Sequence, residues 1–265
     1  MPDDNVEAES ADSAEGLSEW DEEATEIDPA FYRNGGISFS EPELLALGEL
    51  RGRKVLAIGA GNGEDVASLI NLGARLTVID DAESLEPAQA LATAAGLSAE
   101  FIIDDPSAVS VANRTGDYDV VYSGFGTLDW IDDIGDWAGG ITDCLRTGGL
   151  LVVYDEHPFS YIFGLDHGHL GVANSYFGSV LDEDEDEDDD EDEDDDSDDE
   201  EEAAGPAWTV GDVVSAFGAN GLATVSLSEF PESNRFESAL DRLEHVNLDE
   251  MACIPAVLLL VAIKL

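Results

Sequence analysis

The sequence predicts an α/β fold, a doubly wound parallel sheet, on three observations. Short apolar runs alternate with helical segments at the spacing of strand-helix units. The stretch Lys54 to Asp81, KVLAIGAGNGEDVASLINLGARLTVIDD, holds one complete unit: strand, glycine-rich turn, helix and second strand. Its two informative features, the turn Gly59-Ala60-Gly61-Asn62-Gly63 and Asp80, both follow the carboxyl end of a strand. Ligands of open parallel sheets sit beyond those ends, so turn and aspartate are expected to line one crevice. Glycines let the backbone approach a ligand, and a helix starting near Glu64 offers it unpaired N–H groups. Asp80 is then placed to accept two hydrogen bonds from a ribose diol.

The remaining elements follow in order. The chain to Asp28 holds 12 acids among Ser, Ala and Gly, which predicts a disordered acidic tail over 1–19 and an ordered domain over 20–265. Ser40-Glu41-Pro42-Glu43 reads as a helix start, Ser40 capping and Glu43 closing a capping box, with the helix running to about Glu49. Val55 to Ile58 and Leu76 to Ile79 are the first two strands. Ser84 to Ala95 is rich in Ala and Leu and reads as helix, with Gly96 as its stop. Phe101 to Ile103 gives a third strand ending in Asp104-Asp105, and Tyr118 to Tyr122 a fourth, followed by Ser123-Gly124. Trp130, Ile134, Trp137, Ile141 and Leu145 recur at three- and four-residue spacing, the signature of an amphipathic helix ended by Gly148-Gly149. Leu150 to Tyr154 is the fifth strand and runs into Asp155-Glu156-His157-Pro158. From Phe159 to Pro206 the alternation breaks: an aromatic stretch expected to form a lid precedes a disordered, solvated acidic insertion at 182–202. Thr209 to Asn220 then reads as helix, Leu222 to Leu227 as strand, and Cys253 to Leu265 as the final strand.

Composition bounds the function. The chain has 265 residues, 62 of them acidic against 10 basic, for a net charge of −52. Asp182 to Glu202 contributes 20 of those acids, yet the 42 that remain (62 less 20) still outnumber the same 10 bases, so the excess belongs to the whole chain. Such a charge repels phosphate backbones and anionic lipid surfaces, so neither nucleic acid nor membrane is an expected partner. It also opposes compaction in dilute buffer, and salt relieves it: the Debye length is about 3 Å at 1 M. Lysine occurs only at Lys54 and Lys264. Together these predict adaptation to the salt-rich cytoplasm of an extreme halophile. Circular dichroism across a KCl series is expected to show stability rising toward molar salt; a fold equally stable at millimolar salt contradicts the expectation. Cys144 and Cys253 lie in apolar surroundings and read as buried thiols, not as a disulfide or metal pair. The acidic N-terminus lacks the basic and apolar regions of a secretory signal, and the longest apolar run, Ile254 to Ile263, is too short to span a bilayer. The expected location is cytoplasmic.

The competing reading of a glycine turn after a first strand is a dinucleotide site. That fingerprint needs glycine at the first, third and sixth positions, whereas the sixth position here is Glu64 and the fifth is Gly63. A pyrophosphate at this helix start would meet Glu64 and Asp65, an unfavourable pairing of like charges.

The ordered motifs VLAIGAGNGED (Val55 to Asp65), GARLTVIDD (Gly73 to Asp81), AEFIIDD (Ala99 to Asp105), YDVVYSGFGTLDWIDDIGDWA (Tyr118 to Ala138), LRTGGLLVVYDEHPF (Leu145 to Phe159) and the closing IPAVLLLVAIKL resemble class I S-adenosylmethionine-dependent methyltransferases. The resemblance spans about Trp20 to Leu265, and WIDDIGDWA, DEHPF and Ala207 to Pro231 are similar to a subgroup of small methyltransferases of bacteria and archaea. It implies a Rossmann-like seven-stranded sheet, mostly parallel with an antiparallel last strand. It also implies S-adenosyl-L-methionine as methyl donor, with a positive sulfonium that suits acids at the helix start, and a small-molecule acceptor. Gly59, Ala60, Gly61 and Gly63 would then approach the methionine and ribose portions. Asp80, with Asp81 beside it, would bind the ribose hydroxyls, and Asp105 the adenine amino group. Ser123, with Gly124, would lie beneath the reactive methyl.

Alternatives stand beside several of these roles. Asp80 is also read as an ordinary strand-end turn residue, and Asp104 exchanges with Asp105 under a one-residue shift, or Asp105 caps a helix before Pro106. Family members often carry an acid where Ala57 stands. For a general base the candidates are Tyr32, Tyr122, His157, His167 and His169. His157 is best placed, at the end of the fifth strand, with Tyr32 the second choice; the alternative for His157 is a structural histidine that fixes the His-Pro turn. His167-Gly168-His169 is read as loop, so no metal is expected. A second function class is a non-catalytic S-adenosylmethionine-binding or regulatory protein on the same fold.

Overall fold

The computed structural model describes residues 27–124, 126–166, 169–177, 208–232 and 253–265. The expected tail at 1–19, the start of the domain at 20 and the insertion at 182–202 lie outside the described residues.

Two helices precede the sheet, α1 (Pro29–Arg33) and α2 (Glu41–Leu47). The α2 start forms as its sequence dictates: the Glu43 carboxylate accepts from the Ser40 backbone N–H at 2.9 Å and from its hydroxyl at 2.7 Å. Alternating strands and helices follow: β1 (Lys54–Ile58), α3 (Glu64–Asn71), β2 (Arg75–Asp80), α4 (Ala82–Ala95), β3 (Glu100–Ile103), β4 (Tyr118–Ser123), α5 (Ile134–Cys144) and β5 (Leu145–Glu156). A small hairpin, β6 (Phe163–Asp166) and β7 (His169–Val172), stands apart from the main sheet, and α6 (Val210–Ala219), β8 (Leu222–Phe230) and β9 (Val257–Lys264) close the described chain.

Among the described residues the main sheet has seven strands in the order β3-β2-β1-β4-β5-β9-β8. Strands β1 to β5 pair in parallel, while β9 runs antiparallel to both β5 and β8. This is the predicted doubly wound sheet with an antiparallel last strand. Alternation along the strands feeds two cores. Val55, Ala57, Val120 and Tyr122 face one side, with α2, α3 and α4; Leu56, Ile58, Val121 and Val153 face the other, with α5 and α6. On the second face Trp137 stacks on Phe217 with ring centroids 6.0 Å apart.

Three sequence expectations change. The α5 pattern ends at Cys144, because Leu145 already pairs with Tyr118 on β4; the chain then loops out through Gly148, at φ +73°, before rejoining the ladder at Leu150. The aromatic stretch expected as a lid contains the β6-β7 hairpin, where Phe159 meets Phe163 and Tyr176 edge to face. Cys144 is buried, which pushes its thiol up to about 11, but Cys253 is exposed: the buried part of the last apolar run begins only at Ala256, beyond Pro255.

Candidate functional site

A cavity of about 1090 Å³ opens beyond the carboxyl ends of β1 to β4. Pockets for small ligands span about 300–1,000 Å³, so an extended nucleoside fits this one with room beside it. The glycine turn forms one wall. Gly59 and Gly61 hold φ +82° and +49°, and Gly63, the residue before α3, holds +90°, values that favour glycine. Among the described residues the lining includes six carboxylates, those of Glu64, Asp65, Asp80, Asp81, Asp104 and Asp105, and no Lys, Arg or His. A pyrophosphate has no cation to meet among these described residues, whereas cationic groups and hydroxyls find acceptors.

Asp80, 6% exposed, stands at the end of β2. Its Oδ2 accepts from the Ala60 N–H at 2.7 Å and its Oδ1 from the Asp81 N–H at 2.9 Å. Burial raises its carboxyl above the ordinary value, and the two N–H donors pull the other way. The aspartate therefore ties the turn after β1 to the end of β2. Each oxygen keeps a second lone pair, which is what a diol requires.

The other predicted cofactor residues divide. Ala60 and Gly61 line the cavity with Gly59. Asp81 also lines it, but its carboxylate caps α4, taking the N–H groups of Glu83 and Ser84 and the Ser84 hydroxyl; those Ser84 donors hold it below the usual carboxylate range. Asp104 is engaged by Ser110 N–H, Asn113 Nδ2 and Asp105 N–H. Asp105 bonds Ser107 through one oxygen only, Oδ1, so of the adjacent pair it is the one with an oxygen to spare in these contacts.

Gly63 is not part of the lining, and its requirement is steric. A Cβ there would lie 2.6 Å from the Ala88 Cα of α4. Gly63→Ala combines a left-handed backbone with overpacking and is expected to cost about 2–5 kcal/mol. Denaturant unfolding in molar KCl measures this, and an unchanged midpoint contradicts it. Ser123 is fully buried, with its hydroxyl unpaired among the described residues; its neighbour Gly124 is the residue that reaches the cavity.

Neither leading base candidate lines the cavity. Tyr32 is buried and donates to Glu64 Oε1 at 2.6 Å; burial first, then Glu64, raise its phenol, which stays protonated and orients that carboxylate in the cavity wall. His157 sits at the end of β5, where Nδ1 accepts from the Phe159 N–H at 3.0 Å and Nε2 lies 2.8 Å from Glu229 Oε1 on β8. Burial lowers its pKa, against the pull of Glu229, so the neutral ring donates through Nε2. These contacts are those of the alternative reading, a histidine that fixes the His-Pro turn. His167 lies outside the described residues, and His169 falls in the β6-β7 hairpin. Among the described residues no group of three or more His, Cys, Asp or Glu is arranged to hold a metal.

Two features escaped sequence reasoning. Asp155, 1% exposed, accepts from the N–H groups of Gly126 (2.6 Å), Leu128 (2.9 Å) and Glu156 (2.8 Å). It thereby fixes the loop after β4 that gives Gly124, Thr127 and Trp130 to the cavity wall. The second is a chain of acids: the Tyr122 hydroxyl lies 3.1 Å from both Glu43 Oε1 and Asp65 Oδ2. Glu43 read only as a helix cap and Asp65 only as an acid at a helix start; nothing local signals that Tyr122 joins them.

A seven-stranded sheet with an antiparallel last strand and a glycine turn facing an acid on the next strand is the class I methyltransferase architecture. Residues 55–149 match the model of the methyltransferase domain family. Solved structures agree on the fold. An S-adenosylmethionine-dependent methyltransferase from Mesorhizobium loti is 19% identical, with TM-score 0.59, covering 84% of this chain and 96% of its own. A putative one from Listeria monocytogenes is 18% identical at TM-score 0.59, covering 84% and 97%. Geranyl diphosphate C-methyltransferase from Streptomyces coelicolor, solved with Mg²⁺, geranyl diphosphate and S-adenosyl-L-homocysteine, is 10% identical at TM-score 0.55, covering 83% and 76%. Comparison with curated protein sequences gives no match. Among the described residues no helix is long and apolar enough to cross a membrane.

Proposed function

We propose that the protein transfers a methyl group from S-adenosyl-L-methionine to a small-molecule acceptor. The observation that carries this is the cavity itself: a glycine turn bonded to Asp80, Asp105 beyond the next strand, and six carboxylates with no basic side chain among the described residues of the wall. Asp80 would hold the ribose diol through its remaining lone pairs, Asp105 the adenine amino group, and the backbone of Gly59, Ala60 and Gly61 the thioether region. When bound, the donor supplies a methyl on a sulfonium, open to direct displacement by a nucleophile. The protein's part is to align acceptor and methyl and exclude water, and positioning of this kind supplies a large share of such rate enhancements. The same carboxylates disfavour anionic acceptors, so a neutral or cationic small molecule is the class to test.

Calorimetry with S-adenosylmethionine and S-adenosylhomocysteine in molar KCl tests the reading; absence of binding refutes it. The second reading, a non-catalytic binder on the same fold, is favoured by one observation: no His, Lys, Cys or Tyr is among the described residues lining the cavity. A panel of hydroxyl, amine and thiol acceptors separates the two, since a sensor binds the donor and methylates none of them.

A further inference from the structure

We infer that the protein holds a second ligand site, at the end of the sheet away from the cavity above, and that this site takes the carboxylate or phosphate group of a small anion. The inference is independent of the donor-site reading.

A cavity of about 430 Å³ opens at the amino ends of β1 to β3. Lys54 and Arg75, the first residues of β1 and β2, line it with Thr77, Ser98 and Glu100. Its volume falls within the span of about 300–1,000 Å³ in which small ligands are held. Lys54 and Arg75 are register partners on adjacent parallel strands, so their side chains leave the same face of the sheet side by side. Like charges so placed repel each other, and an anion between them turns that repulsion into attraction.

The surrounding charges single out Arg75. Five of the ten bases of the chain, Arg51, Arg53, Lys54, Arg75 and Arg146, stand at or just before the starts of β1, β2 and β5. The acids near those starts are Glu49, Glu100, Asp117 and Asp119, so this end approaches charge balance in a chain of net charge −52. Asp117 accepts from Lys54 Nζ at 2.6 Å, and Asp119 from Arg146 Nε at 2.8 Å. Glu100 accepts from the Thr77 hydroxyl at 3.2 Å. Arg75 forms no ion pair among the described residues. Its Nε donates to the Gly52 carbonyl at 3.0 Å, which orients the guanidinium while its two terminal nitrogens are left to a ligand. Two N–H donors on one planar fork match two oxygens of a carboxylate or phosphate. The Lys54 ammonium, which has three donors and gives one to Asp117, supplies the second cation. Glu100, on β3, bounds the anion to the β1-β2 side of the cavity. The acidity of the whole chain does not oppose such a contact in salt. At 1 M the Debye length is about 3 Å, so distant carboxylates are screened while a hydrogen bond at contact persists.

Titration calorimetry on the full chain in molar KCl tests this, with inorganic phosphate in one arm and citrate in the other. Saturable binding of at least one of them is expected, and the tighter arm tells a phosphate ligand from a carboxylate one. Arg75→Gln is expected to weaken that binding about 10-fold or more. Lys54→Gln is expected to weaken it by a smaller factor, and carries the test alone if the Arg75 variant fails to fold. Arg51→Gln removes a base at the same end but outside the cavity wall, and is expected to leave the affinity within about twofold. Equal weakening in Arg51→Gln and Arg75→Gln means that the anion answers only to overall charge. That result, unchanged affinity in Arg75→Gln, or absence of saturable binding of both anions to the wild type overturns the proposal.

Discussion

Asp80→Ala is expected to lower affinity for S-adenosylhomocysteine by about 100-fold or more. Each hydrogen bond from a ribose hydroxyl to an ionised carboxylate is worth about 1.5–3 kcal/mol, and a diol makes two, so the pair accounts for at least two decades in Kd. The carboxylate also holds the glycine turn through the Ala60 N–H at 2.7 Å, so removing it costs the site both its ligand contact and its shape. Asp80→Asn separates those effects. Its amide oxygen still takes one backbone N–H, which preserves the turn, but the charge and one acceptor are gone. The expected order of affinity is wild type, then Asn, then Ala, with thermal stability of the Asn variant close to wild type. Unchanged affinity in Asp80→Ala would remove the ribose assignment and leave Asp80 as a turn residue.

Much of this site was legible because its parts are local. The turn Gly59 to Gly63, the helix start at Glu64 and the strand ends at Asp80 and Asp105 are each written in a few consecutive residues, and a parallel sheet brings strand ends together by construction. The seven-strand count and the antiparallel last strand followed from the family resemblance, not from periodicity, and the strand order came only with the structure. What the sequence left unread depends on contacts across long separations. Gly63 reads as a ligand-facing glycine, yet its constraint is Ala88 on the next helix. His157 stands at the end of a strand in the manner of a catalytic base, but Glu229, 72 residues away, takes its Nε2. Glu43 and Tyr122, 79 apart, meet only in the fold, and the capping box of Glu43 hides its second role. Local chemistry names the residues; the partner decides the role.

Asp155 shows that most clearly, and Asp155→Ala is expected to be the most destabilising single change in the site. The variant leaves the N–H groups of Gly126, Leu128 and Glu156 without their acceptor. A buried donor left unsatisfied costs about 1–3 kcal/mol, so three give a loss of about 3 kcal/mol or more, a large share of the 5–15 kcal/mol typical of a domain. Donor affinity is expected to fall with it, since the loop that these bonds hold supplies Gly124, Thr127 and Trp130 to the cavity. A pH signature distinguishes this carboxylate from its neighbours. Burial pushes its pKa up to about 7, with Asp129 adding to the rise and the N–H groups of Leu128, Gly126 and Glu156 opposing it. Between the ordinary value of about 4 and this one, the folded protein holds a proton that the unfolded chain has released. The stability tied to that proton is complete below about pH 4, declines as pH rises, and is lost above about pH 7. Asp155→Asn cannot titrate, so its unfolding free energy, followed from about pH 5 to about pH 7 in molar KCl, is expected to vary less steeply than that of the wild type. Parallel profiles for the two proteins would mean that Asp155 stays ionised throughout, held by its three backbone donors against the cost of burial.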